Sequence, residues 1–165
     1  MPITKFAEEW LTRVLFEKGL GFLGAGQLLE PYCADEPIRY VRLHLLSQGI
    51  ELILKSALLA KDFRKYEPKS SKPFGDYLAK RFGHHLIKIA EAAEMEFGLS
   101  AMRPGLRTEL GELERLYGRH HLRYAGLNDI FIDPASIGVR HVLCRVNALV
   151  RLMNREFEKT NFGRT

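Results

Sequence analysis

The chain has 165 residues, of which 46% are hydrophobic and 27% charged, with a formal net charge of +5 and a pI near 9.3. That length supports one buried core without disulfides or metals, and the composition excludes an intrinsically disordered chain. The mild positive charge suits an anionic partner but does not require one.

Cys33 and Cys144 are far apart, and neither sits in a CxxC or Cys/His metal spacing. Two free, buried thiols in a reducing cytoplasm are therefore expected. The opening MPITKFAEEW lacks a basic stretch followed by an apolar one, so no secretory signal is read there. The longest weakly polar run is taken as Gly19 to Leu29, too short to span a bilayer. A soluble cytoplasmic protein with no membrane association is the expectation.

Along the chain, residues 5 to 18 read as a first helix, with Thr4 as N-cap and Glu8 and Glu9 placed where negative charge suits the helix dipole. Its core face is read as Phe6, Trp10, Val14 and Glu17, widened by Leu11 and Leu15. Next comes Gly19-Leu20-Gly21-Phe22-Leu23-Gly24, which matches the GxGxxG dinucleotide fingerprint by letter. That motif works only between a strand and a helix, and here a helix precedes it. The stretch is read instead as a glycine-rich bend or a helix packed closely on its neighbour, then a short helix ending before Pro31.

Residues 38 to 61, IRYVRLHLLSQGIELILKSALLAK, are apolar over most of a helical circumference. A helix of that kind is surrounded by others, so this is the central helix, with Pro37 in its first turn. Its polar residues His44, Ser47, Gln48, Glu51 and Lys55 fall in one narrow stripe. Phe63 to Lys72 is read as a basic loop. Tyr77, Leu78 and Phe82 mark a short helical piece, interrupted at Gly83. Further helices are expected from His84 to Gly98, from Pro104 to Leu122, and from Pro134 onward with Asp133 as N-cap. Between the last two, Arg123 to Asp133 reads as a fixed connector. The fold expected is an all-α single-domain bundle of about five main helices.

Three stretches resemble the HEPN family of small helical domains, found in prokaryotic toxin–antitoxin pairs and in larger eukaryotic proteins. Gln48-Gly-Ile-Glu51-Leu-Ile-Leu-Lys55 is similar to that family's "Q..E..LK" helix. Gly83-His84-His85-Leu86-Ile-Lys88 is similar to its "GH.L.KL" helix start, and Leu113-Glu-Arg-Leu-Tyr117 with Arg123-Tyr124 to its "L..LY...RY" segment. The resemblance spans roughly residues 40 to 125. It implies a small helical domain that often dimerises and often acts on or binds RNA or nucleotides, and is sometimes only a scaffold. The expectation is a HEPN-like domain that binds RNA, a nucleotide or a protein partner such as a nucleotidyltransferase-like protein, as a homodimer and without catalysis. The ligand-binding residues it points to are Gln48, Glu51, Lys55, His84, His85, Arg123 and Tyr124.

Ribonuclease members of that family carry an Arg, a polar residue, and a His four to six positions after the Arg. Arg115 with His120 or His121, and Arg39 with His44, have the spacing. Tyr40 and Leu116 stand where the polar residue belongs, and such loose spacings arise by chance more than once in a chain of this composition. A metal-independent ribonuclease toxin using Arg115, His120 and His121 is thus the alternative reading; a structural or antitoxin-like partner protein is another.

Taken by themselves, Glu51 and Lys55 are an i, i+4 ion pair, in either an exposed polar strip or a cleft wall. His84 and His85 suit helix capping or a cleft, and His120 and His121 suit the negative end of their helix. The basic residues Arg119, Arg123, Arg140, Arg151 and Arg155 form a phosphate-binding surface only if they converge. No HxxxH, HExxH, Glu-x-x-His pair or G-x-S-x-G is present, so no metal, no cofactor and no covalent nucleophile is expected.

Overall fold

The structure, a computed structural model, describes residues 5–67, 76–118 and 133–159. It is an all-α, single-domain fold, and no strand occurs among the described residues. The helices are α1 (Lys5–Leu28), α2 (Glu36–Lys61), α3 (Phe63–Tyr66), α4 (Asp76–Phe82), α5 (Leu86–Glu96), α6 (Pro104–Gly118) and α7 (Arg140–Lys159), with 3-10 turns at Glu30–Tyr32 and Pro134–Ser136.

The apolar circumference of α2 places it at the centre, in contact with α1, α5, α6 and α7. Leu46, Ile50, Ile53, Ala57 and Leu58 are completely buried along it. Among the described residues this helix, rather than Gly19 to Leu29, is the segment long and apolar enough to cross a membrane, and 67% of its most apolar window lies buried inside the fold.

The first helix does not stop at residue 18. It runs as one rod of 24 residues through Gly19, Gly21, Gly24 and Gly26, about 36 Å long at 1.5 Å per residue. Its buried residues are Thr12, Phe16, Gly19, Leu23 and Gly26, recurring at the 3.5-residue interval of a coiled-coil seam. The glycines hold this helix against α2. A Cβ on Gly49 would come within 2.8 Å of Leu23 N and 2.9 Å of Gly19 O, and one on Gly19 within 2.7 Å of Ile53 Cγ1. Antiparallel backbones therefore touch, and Ser56 Oγ donates to Thr12 O across the seam at 2.7 Å. The expected core face is thereby corrected: Trp10 is 53% exposed and Phe6 64%. Counting apolar letters favoured the large side chains, whereas close approach selected the small ones.

Other boundaries also shift. Phe63–Tyr66 is a helical turn that buries its first and last residues, Phe63 and Tyr66, with Asp62 Oδ1 accepting from Lys65 N. Asp133 caps only the 3-10 turn, accepting from Ala135 N at 2.8 Å, and the last long helix begins at Arg140. Its first turn is capped from outside the helix. Glu109, buried on α6, accepts from Val142 N at 2.9 Å. Glu114, also on α6, accepts from Ile87 N at 2.9 Å in the first turn of α5. Two carboxylates of one helix thus satisfy orphan donors at the positive ends of two others. Cys33 is half-buried and Cys144 exposed, both free, which corrects the expectation of two buried thiols. The connector Arg123 to Asp133 lies almost wholly outside the described residues.

Candidate functional site

The polar stripe of α2 is not a solvated strip. Glu51 is 5% exposed and Ser47 completely buried, and the Lys55 side chain is 12% exposed. The reading of an exposed strip is corrected accordingly: α2 turns Glu51 and Lys55 toward the Gly83–His84 turn and toward Tyr117 of α6, not toward water. Glu51 is the hub. Its carboxylate accepts from Lys55 Nζ at 2.5 Å and from His84 Nδ1 at 2.9 Å, and the Tyr117 hydroxyl also donates to it. Lys55 Nζ donates a second time, to Gly83 O at 3.1 Å. Gly83 closes α4 with φ +54°, a left-handed conformation that favours glycine. That turn aims its carbonyl at the ammonium.

Burial raises the pKa of Glu51. The Lys55 charge and the hydrogen bonds from His84, Lys55 and Tyr117 outweigh that effect, and the net shift is below the ordinary 4.5. The group is an ion pair with nearly every lone pair of the carboxylate engaged, the condition under which burying two charges is tolerable. Because a carboxylate only accepts, the His84–Glu51 bond puts a proton on His84 Nδ1. Tyr117, buried on α6, stacks edge-on against His84 at 5.2 Å between ring centroids, and the His44 ring lies 5.7 Å from that of Tyr117.

His84 leads from this buried cluster to a surface cleft of about 600 Å³ lined by Gly83, His84, His85, Ile87, Gly111, Glu114 and Arg115. The His84 side chain is 40% exposed there. His85 is at the N-cap position of α5 without capping it; its Nδ1 donates to Glu114 at 3.2 Å. Arg115 is exposed and makes no ion pair among the described residues. The cleft is therefore lined by two imidazoles and a guanidinium, and His84 connects it to the buried ion pair. A separate groove is lined by Lys5, Glu9 and Arg13 of α1, by Leu59 and Phe63, and by Phe157 of α7, and its Glu9 and Arg13 are engaged in ion pairs along α1.

Of the expected site residues, Glu51, Lys55 and His84 come together, and His85 and Arg115 join them at the cleft. Gln48 is half-buried on α2, three residues before Glu51. His120, His121, Arg123 and Tyr124 lie outside the described residues, as does Arg119. Arg39 and His44 are both half-buried on α2, and the Arg39 guanidinium donates to Cys33 O. Arg140, Arg151 and Arg155 are exposed along α7 and do not line the cleft. Among the described residues no three His, Cys, Asp or Glu side chains gather as metal ligands.

Sequence reasoning missed Tyr117 as a site residue, because its place on an apolar helical face read as core. It also missed Glu109 and Glu114, which no local pattern marks as caps for distant helices. Comparison with protein-family models, with curated proteins and with solved structures finds no match.

Proposed function

We propose that this chain is a HEPN-like helical domain that binds a phosphate-bearing ligand, RNA or a nucleotide, at the His84–His85–Arg115 cleft, as a cytoplasmic homodimer and without chemistry on the ligand. The observation that carries this reading is the tie formed by Glu51. It joins Glu51 and Lys55 of the first resembling stretch, Gly83 and His84 of the second, and Tyr117 of the third. Residues singled out for their likeness to one family's separate motifs meet around a single carboxylate. The network also holds one face of His84 rigidly, so that its ring is presented at the cleft in a fixed orientation, and preorganisation of this kind strengthens binding. The exposed Arg115 guanidinium supplies the fork that phosphate oxygens prefer. A protein partner such as a nucleotidyltransferase-like protein fits the resemblance equally, but nothing in the cleft favours it.

Fluorescence anisotropy with a labelled single-stranded RNA and with a labelled nucleotide, across a salt series, tests the proposal. Binding that weakens as salt rises is expected. Arg115→Ala should lower affinity about tenfold and reduce the salt slope by roughly one phosphate contact. Failure of the wild-type chain to bind either probe at low salt would overturn it. Recovery of intact RNA is the expected result of prolonged incubation; fragments would favour a ribonuclease using Arg115 with His120 or His121.

A further inference from the structure

The face of α1 directly opposite its buried seam is not a polar surface. At 100° per residue, Trp10, Val14, Glu17, Gly21, Gly24 and Leu28 line up on it, at successive spacings of four, three, four, three and four. Trp10 is 53% and Leu28 76% exposed. A Cβ on Gly21 or Gly24 would meet nothing within 4 Å, so these two glycines, unlike Gly19, are not small for the sake of α2. Glu17 is the sole charge in the stripe. Large residues occupy its N-terminal half and hollows most of its C-terminal half.

We propose that this stripe is the surface on which a second copy of the chain docks, with the two α1 helices antiparallel and related by a two-fold axis near residues 17–19. In that arrangement Trp10 and Val14 of each copy lie over the Gly21–Ala25 stretch of the other. A parallel arrangement would set tryptophan on tryptophan and leave the glycine hollows empty. Charge selects the same partner. Glu17 and Lys18 are adjacent and exposed; Glu17 accepts from Arg13 at 3.0 Å along its own helix, while Lys18 makes no ion pair among the described residues. Antiparallel helices crossing near residues 17–19 bring Glu17 of each copy within reach of Lys18 of the other, twice by symmetry. The surface is complementary to itself, in shape and in charge. The inference deepens the homodimer part of the proposed function and shares no residue with the ligand cleft.

Sedimentation equilibrium of the full chain, read alongside the emission of Trp10, the only tryptophan, tests it. The wild type is expected to dimerise, with emission shifting to the blue as concentration rises. Gly21→Leu and Gly24→Leu fill the hollows on a side where the fold has room. Each should weaken the dimer at least about tenfold while leaving the melting temperature of the monomer unchanged or higher. Glu17→Lys and Lys18→Glu should each weaken self-association, and an equimolar mixture of the two variants should recover a heterodimer. A wild-type monomer at concentrations well above micromolar overturns the inference together with the homodimer expectation. A wild-type dimer that all four substitutions leave intact overturns this surface alone, and ligand binding in the anisotropy assay stands or falls separately.

Discussion

Glu51 shows how one side chain can be indispensable without touching a ligand. It neutralises a lysine that would otherwise lie buried as a bare cation, and it holds His84 and Tyr117 in place. Removing one partner of a buried pair costs more than the pair contributes, because the remaining charge keeps its desolvation penalty. Glu51→Gln is therefore expected to destabilise the fold by about 3–5 kcal/mol near neutral pH, read from urea unfolding. The pH dependence has a definite sign. The folded pKa of Glu51 lies below 4.5, so its stabilisation is complete above the unfolded value near 4.5 and is lost as pH falls through the folded value. The gap between wild type and Glu51→Gln should thus narrow on acidification below 4.5; a constant gap would mean that the carboxylate charge is not what stabilises. The likeness of the Gln48–Lys55 segment to a known helix pointed to this residue. That Tyr117 completes the cluster depends on α6 lying against α2, and nothing local announces that.

At the scale of the helix, α1 carries two opposite glycine patterns that a letter count cannot separate. Gly19 and Gly49 let two backbones touch, and Gly21 and Gly24 face outward with open space beyond them. Gly49→Ala forces a Cβ into backbone atoms at 2.8 and 2.9 Å, and such overpacking typically costs about 1–3 kcal/mol. Gly24→Ala meets nothing and replaces a poor helix former, a gain of up to about 1 kcal/mol. Thermal unfolding of the two variants, at concentrations where the chain is monomeric, should move in opposite directions; a fall in both would show that the outward glycines are packed within the monomer. The same split explains the error in the first helix. Its core stripe reads Thr12, Phe16, Gly19, Leu23, Gly26, only two of them strongly apolar, while Phe6 and Trp10 look like core residues and stand exposed.

The whole molecule is arranged around α2, and stability should follow that arrangement. A helix packed against α1, α5, α6 and α7 opens only when the fold does. Amide hydrogen exchange is expected to be slowest over residues 46–58 and faster along α7, whose outer face is solvated. Exchange in α2 as fast as in α7 would contradict the central placement. The caps from Glu109 and Glu114 work at this scale too, since each ties the start of one helix to the side of another.

By itself the sequence determined the helical class, the central helix and the short list from which the candidate site is drawn. Hydrophobic periodicity is a local property, and the Glu51–Lys55 pair and the His84–His85 doublet lie within single segments. Tertiary structure alone decided that the polar stripe faces inward, that Lys55, His84 and Tyr117 share one carboxylate, and which face of α1 is core. Those outcomes depend on how near two backbones can come and where unpaired donors find acceptors. Residues distant in the chain set both.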